Sequence, residues 1–177
     1  MLLNEKMEII ELRDEDIFLF KEYLQEAFQQ GYESVYGKCE ELVLPENDID
    51  ECLEREDSHA FELINQNNEI LGGAVVTINE KTNHNHLDFL FVKAGIQNQG
   101  LGQLIWDELE KIYPNTEIWE TCTPYFDKRN IHFYLNKLGF HIIEFFNDKH
   151  QDLENPIDNF SLEEGMFRFE KIIKKGN

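Results

Sequence analysis

The chain has 177 residues, 41% of them apolar, enough to enclose one hydrophobic core and too few for two, so residues 1–177 are expected to form a single domain. Acids outnumber bases 36 to 16, a formal net charge of −20, which argues against nucleic acid because a phosphate backbone is gripped by clustered Lys and Arg. No apolar run approaches the roughly 18 residues of a membrane span and the start is acidic within five residues, which points to a cytoplasmic protein with no membrane partner.

In chain order, Met7 to Leu12 reads as a first strand, and Asp14 to Gln29 as a helix with Ile17, Phe20, Leu24 and Phe28 on one stripe, ended by Gly31. Tyr32 to Leu44 reads as a loop or irregular helix that stops at Pro45, and Asn47 to Arg55 as a short acidic helix. Ala60 to Ile64, a turn at Asn65 to Asn68 and Ile70 to Ile78 make a hairpin. A strand before the next turn carries Leu87 to Val92, and Leu101, Leu104, Ile105, Leu109 and Ile112 then recur at helical spacing. Pro114 and Asn115 break the chain before a strand at Thr116 to Thr123. A helix opens at Asp127 and ends at Gly139, a strand follows at Phe140 to Phe146, Asn147 to Gly165 reads as a long loop, and Met166 to Ile173 is a final strand. The pattern is α/β of the α+β type. Cys39, Cys52 and Cys122, odd in number and without CxxC spacing, fit reduced thiols, and Cys122 reads as a small apolar filler.

The segment Val-Lys-Ala-Gly-Ile-Gln-Asn-Gln-Gly-Leu-Gly, Val92 to Gly102, joins a strand to a helix N-terminus. There the first backbone N–H groups have no intrahelical partner and the macrodipole is positive, so an anion is favoured, and Gly100 and Gly102 lack a Cβ that would hold it off.

Gln97-x-x-Gly100-x-Gly102 resembles the acyl-CoA pyrophosphate loop of the GNAT superfamily of N-acetyltransferases. The later segment from Asp127 to Phe140, with Phe133-Tyr134 followed after a short gap by Gly139-Phe140, resembles that superfamily's later helix. The resemblance implies a mixed, mostly antiparallel sheet flanked by helices, and acetyl-CoA as co-substrate with no metal. It implies that Gln97, Asn98, Gln99, Gly100, Leu101, Gly102 and Gln103 form the pyrophosphate turn, with the backbone N–H groups of 98–103 as donors. Leu90, Phe91 and Val92 would pair with the pantetheine arm, the Leu90 N–H would polarise the thioester carbonyl, and Asp127 and Asn130 would lie by the coenzyme. Asp127 stands where the family commonly has Asn; a carboxylate caps a helix equally well but repels phosphate. Tyr134 takes the general-acid position, its phenol being protonated at neutral pH. A homodimer is an expectation from the family alone.

His84, His86 and Asp88 alternate, so a regular strand puts all three on one face, where the resemblance makes His86 and Asp88 the base candidates. The same run resembles metal-dependent hydrolases of the metallo-β-lactamase type, but Phe89 stands where their next His would be and His132, His141 and His150 are dispersed. Residues 1–89 hold 22 acids and 6 bases while residues 90–140 hold 6 and 5, and residues 40–57 alone hold nine acids and one base. The expected activity is direct acetyl transfer in a ternary complex to a primary amine of a cationic small molecule or protein. The alternatives are a non-catalytic acyl-CoA sensor and, further off, the hydrolase.

Overall fold

In the computed structural model, residues 6–154 and 165–173 are described. Seven strands, β1 (Met7–Glu11), β2 (Ser58–Asn65), β3 (Ile70–Thr77), β4 (His84–Val92), β5 (Ile118–Pro124), β6 (His141–Phe146) and β7 (Met166–Ile172), make one sheet in the order β1-β2-β3-β4-β5-β7-β6. Every neighbouring pair is antiparallel except β4 with β5. Among the described residues four α-helices accompany it: α1 (Ile17–Tyr36), α2 (Glu46–Leu53), α3 (Leu101–Ile112) and α4 (Lys128–His132).

Each face of the sheet has its own core. Leu101, Ile105, Trp106 and Leu109 of α3 bury against Leu87, Trp119 and Phe140 on one side. Phe20 and Leu24 of α1 and Ile49 of α2 bury against Val75 and Phe91 on the other. Trp106 meets Trp119 and Phe140 edge-on, at 5.3 and 5.2 Å between ring centroids, a geometry worth about 0.5–1.5 kcal/mol per pair beyond the buried area.

The first helix corrects the expected end at Gly31, since α1 runs through it to Tyr36 and Gly37, at φ 85°, turns the chain out. A mid-helix glycine costs roughly 0.5–1 kcal/mol against alanine, and tertiary contact outweighs it. Tyr32 and Tyr36 close on Phe126 at centroid distances of 5.3 and 5.7 Å, so the extra turns tie α1 to the loop after β5. The helix expected from Asp127 is regular only to His132. Phe133–Lys137 continue as a π turn, with the Leu138 N–H donating to the Phe133 carbonyl. Of the long loop expected at 147–165, residues 155–164 lie outside the described residues.

Two irregularities in β4 position everything that follows. Val75 pairs with Phe89, but its neighbour Val76 pairs with Leu87, so Asp88 is an extra residue in the strand, a β-bulge. This corrects the regular alternation expected from His84 to Asp88. Leu87 and Leu90, three apart, reach the same core, while Phe89 and Phe91 pack toward the other. On its opposite edge β4 pairs with β5 only over His84–Leu87 with Ile118–Thr121. Beyond these residues the two parallel strands part, leaving 88–92 without a ladder partner on that side while Cys122, Thr123 and Pro124 stay paired to β7.

Candidate active site

Two clefts meet at the split. The larger, of about 910 Å³, runs past Leu90, Phe91 and Val92, the turn at Gln97 and Asn98, and Gly100 to Gln103 to the start of α4. Within this turn the two glycines do different work. Gly100 holds the left-handed conformation, φ 80°, with open space where a Cβ would stand, and Asn98 is left-handed too, at φ 63°. At Gly102 a Cβ would come within 3.0 Å of the Phe133 ring, so this glycine lets the α3 N-terminus lie against the helix that carries Tyr134. An Arg129 Nη2 hydrogen bond to Asn98 Oδ1, 3.1 Å long, ties the turn to α4. Gln99 stands off the cleft wall, its side-chain oxygen buried without a partner.

Asp127 caps α4: one carboxylate oxygen accepts the Asn130 backbone N–H at 3.0 Å and the other the Asn130 side-chain amide at 2.8 Å. Burial pushes its pKa up, against the pull of the Asn130 N–H and of Arg129. Asp127, Asn130 and Leu90 line both clefts, so the passage between them lies here.

The second cleft, of about 550 Å³, has the opposite character. Its walls carry Glu41, Asp48, Glu51, Asp88 and Asp127 and no Lys or Arg among the described residues, whereas the larger cleft is lined by Lys128, Arg129 and Lys137 with Asp127 its sole carboxylate. Tyr134 stands on this second wall, buried within the π turn. Desolvation first, then the Asp127 charge, raise its phenol pKa, against hydrogen bonds with Thr121 and Thr123, so the hydroxyl is a proton donor throughout the physiological range.

His86 and Asp88 are brought together. His86 Nδ1 is buried and lies 3.2 Å from Asp88 Oδ1, close enough for an ion pair but off a hydrogen-bonding angle. Asp88 is also held by two residues that sequence reasoning missed: Thr77 Oγ1 donates to Oδ2 at 2.7 Å and Arg55 Nη2 to Oδ1 at 3.0 Å. Arg55 donates as well to Thr77 Oγ1 at 2.7 Å, closing the triangle. Burial disfavours a charged imidazole, but the Asp88 carboxylate and the Cys122 thiol outweigh it and push the His86 pKa up to about 9. Burial would raise the Asp88 pKa; His86, Thr77 and Arg55 turn the balance and lower it. At neutral pH this is an imidazolium–carboxylate pair. His84 is exposed at the start of β4, and among the described residues no group of three or more His, Cys, Asp or Glu is arranged to hold a metal. Cys122 corrects the filler reading: it is half-buried and faces the second cleft.

Two parallel strands thus part above a glycine-turned helix N-terminus, with a basic cleft on one side and an acidic one on the other. Residues 20–140 match the model of the acetyltransferase (GNAT) family, and the chain belongs to that family. It is 40% identical over 183 residues to an uncharacterized Bacillus subtilis protein, YrkN, covering 97% of each chain. The fold is shared with the ribosomal-protein-S18-alanine N-acetyltransferase of Escherichia coli (TM-score 0.67, 15% identity, 97% of each chain). It is shared too with the spermidine N-acetyltransferase of Vibrio cholerae, solved with CoA and spermine (TM-score 0.67, 11% identity, 94% of this chain and 95% of that one). No helix among the described residues is long and apolar enough to cross a membrane.

Proposed function

We propose that the protein transfers the acetyl group of acetyl-CoA directly to a primary amine of a cationic acceptor, the two substrates meeting at Leu90. The observation that carries this reading is the charge contrast between two clefts that share a passage. A polyanionic coenzyme is favoured beside Lys128, Arg129, Lys137 and the α3 N-terminus, and a cation beside Glu41, Glu51 and Asp88. The free strand edge at 88–92 suits an extended pantetheine arm, with the Leu90 N–H toward the thioester oxygen.

Tyr134 is the proton donor to the departing thiolate, its buried phenol matched to that task. His86, oriented by Asp88, takes the proton of the attacking amine. An alkylammonium near pKa 10 is better matched by a base near 9 than by an ordinary imidazole, at the cost that most of the base is protonated at neutral pH. The family resemblance to an enzyme solved with spermine supports an amine acceptor without naming it.

The test is release of the coenzyme thiol across a panel of amines matched in size and differing in charge. Faster turnover with di- and tricationic amines is expected. Equal turnover with neutral or anionic amines removes the cationic acceptor, and binding of acetyl-CoA with no release for any amine turns the reading to a sensor.

A further inference from the structure

Arg55, Thr77 and His86 all meet the Asp88 carboxylate, and His86 has the poorest hold on it. Arg55 Nη2 donates to Oδ1 at 3.0 Å and to the Thr77 hydroxyl at 2.7 Å, and it reaches the Cys52 sulfur at 3.5 Å. Because the Thr77 oxygen accepts from Arg55, its own hydrogen is turned to Asp88 Oδ2, 2.7 Å away. Both carboxylate oxygens are thereby held. His86 Nδ1 lies 3.2 Å from the same Oδ1 that Arg55 occupies, beyond the roughly 2.7–2.9 Å of a charge-assisted bond, and though buried it has no hydrogen-bond partner among the described residues. The carboxylate on the other side of the ring is engaged in the same way. Glu120 stands opposite His86 in the parallel register, and Arg168 of β7 donates to its Oε1 at 3.0 Å. Cys122, two residues on from Glu120, and Asp57, beside Arg55, are further titratable groups around the pair, and His84 is exposed at the start of the strand. An imidazole that is to take a proton from an amine must not be locked as imidazolium. A full ion-pair bond to Asp88 would lock it, because an opposite charge at that distance favours the charged ring; a guanidinium on the same oxygen acts the other way.

Resting on the acetyl-transfer reading above, we propose that Arg55 is a positioning residue for His86: it keeps Asp88 bound to itself and to Thr77, denies the imidazole a full ion pair, and leaves the ring able to take the proton of the attacking amine. Arg55 lines neither cleft, so it acts through Asp88 and not on a substrate. Loss of its charge frees Oδ1, Asp88 closes on Nδ1, and the ring holds its proton more firmly. The effect is opposite in sign to removal of Asp88 itself, which takes away the anion that favours the protonated ring.

The experiment follows the His86 ring of the full chain by NMR against pH, its signal assigned by its loss in His86→Asn, together with the pH dependence of thiol release to a dicationic amine. In Arg55→Gln the ring's midpoint should move up from about 9 by roughly 0.5–1. Turnover at pH 7.5 should fall about three- to ten-fold, the deficit closing to about two-fold by pH 10 as the ring loses its proton. Arg55→Lys keeps the charge and should stay within about 0.3 of the parent's midpoint. A deficit equal at both pH values with an unmoved midpoint marks Arg55 as merely structural and overturns the proposal. So does a midpoint that moves down in Arg55→Gln, or one that moves up as far in Arg55→Lys. In each of those cases thiol release by the parent leaves the transferase reading standing, whereas no release by the parent with any amine removes both readings.

Discussion

The basic cleft, proposed for the coenzyme, and the acidic cleft, proposed for the acceptor, share a wall at Leu90, Asp127 and Asn130, yet they are built from different materials. On the coenzyme side the chemistry lies in the main chain: a strand edge without a partner, a turn with two left-handed residues, and the N–H groups that open α3. On the acceptor side it lies in side chains brought from distant places, with Arg55 after α2, Thr77 on β3, Asp88 on β4 and Cys122 on β5. A backbone site needs only local residues that permit a conformation. A side-chain site needs long-range register, and a bulge or a lost pairing changes it.

Four variants press on that contrast, in falling order of effect. Tyr134→Phe removes the proposed acid without touching the backbone site, so turnover should fall at least about 10²-fold while the KM for acetyl-CoA holds. Unchanged turnover would take Tyr134 out of the mechanism.

Asp88→Asn breaks the acceptor-side network at its centre. Turnover should fall about ten-fold, and the midpoint of the rise in rate with pH should move from about 9 toward the ordinary 6.5 of the imidazole. Linkage gives a second readout. A folded pKa above the unfolded value means that this pair stabilises the protein fully below about pH 6.5 and that the contribution is lost as pH rises through about 9. The melting temperature should therefore fall less over that window in the variant than in the parent. A midpoint unmoved by the substitution would separate Asp88 from the base.

Charge reversal at the rim, Glu41→Lys with Glu51→Lys, should raise the KM for a dicationic amine about ten-fold, roughly 1.4 kcal/mol, and leave the KM for acetyl-CoA within two-fold. A matching loss for both substrates would show that the clefts are not electrostatically separate. The smallest change is Gly31→Ala. A Cβ there meets nothing within 4 Å, so the helix should gain roughly 0.5–1 kcal/mol and the melting temperature about 1–4 °C. A fall would mean that the turn of α1 at residue 31 depends on glycine.

The same contrast accounts for what could be read in the chain beforehand. Gln97 to Gly102 announces itself because consecutive residues must adopt a particular turn, and α3 because its apolar residues recur at one period. The Phe133-Tyr134 pair was visible, though not the π turn that seats it, since a five-residue hydrogen bond depends on what the helix packs against. The continuation of α1 past Gly31 rests on Phe126, ninety-five residues away in the chain. His86 and Asp88 were legible as neighbours. The bulge that sets them, the Arg55 and Thr77 contacts that hold them, and the outward face of Cys122 come from pairings between strands, for which one sequence carries no local sign.

An open strand edge is ordinarily a hazard, because unpaired N–H and C=O groups recruit other chains. Here such an edge exists in the middle of the sheet, over residues 88–92, where β5 stays fastened to β7. In the proposed binding mode the coenzyme completes a secondary-structure element as well as supplying a reactant. Amide exchange at cleft-facing positions of 88–92 should slow when acetyl-CoA binds, while 86–87, already laddered on both sides, should hardly respond.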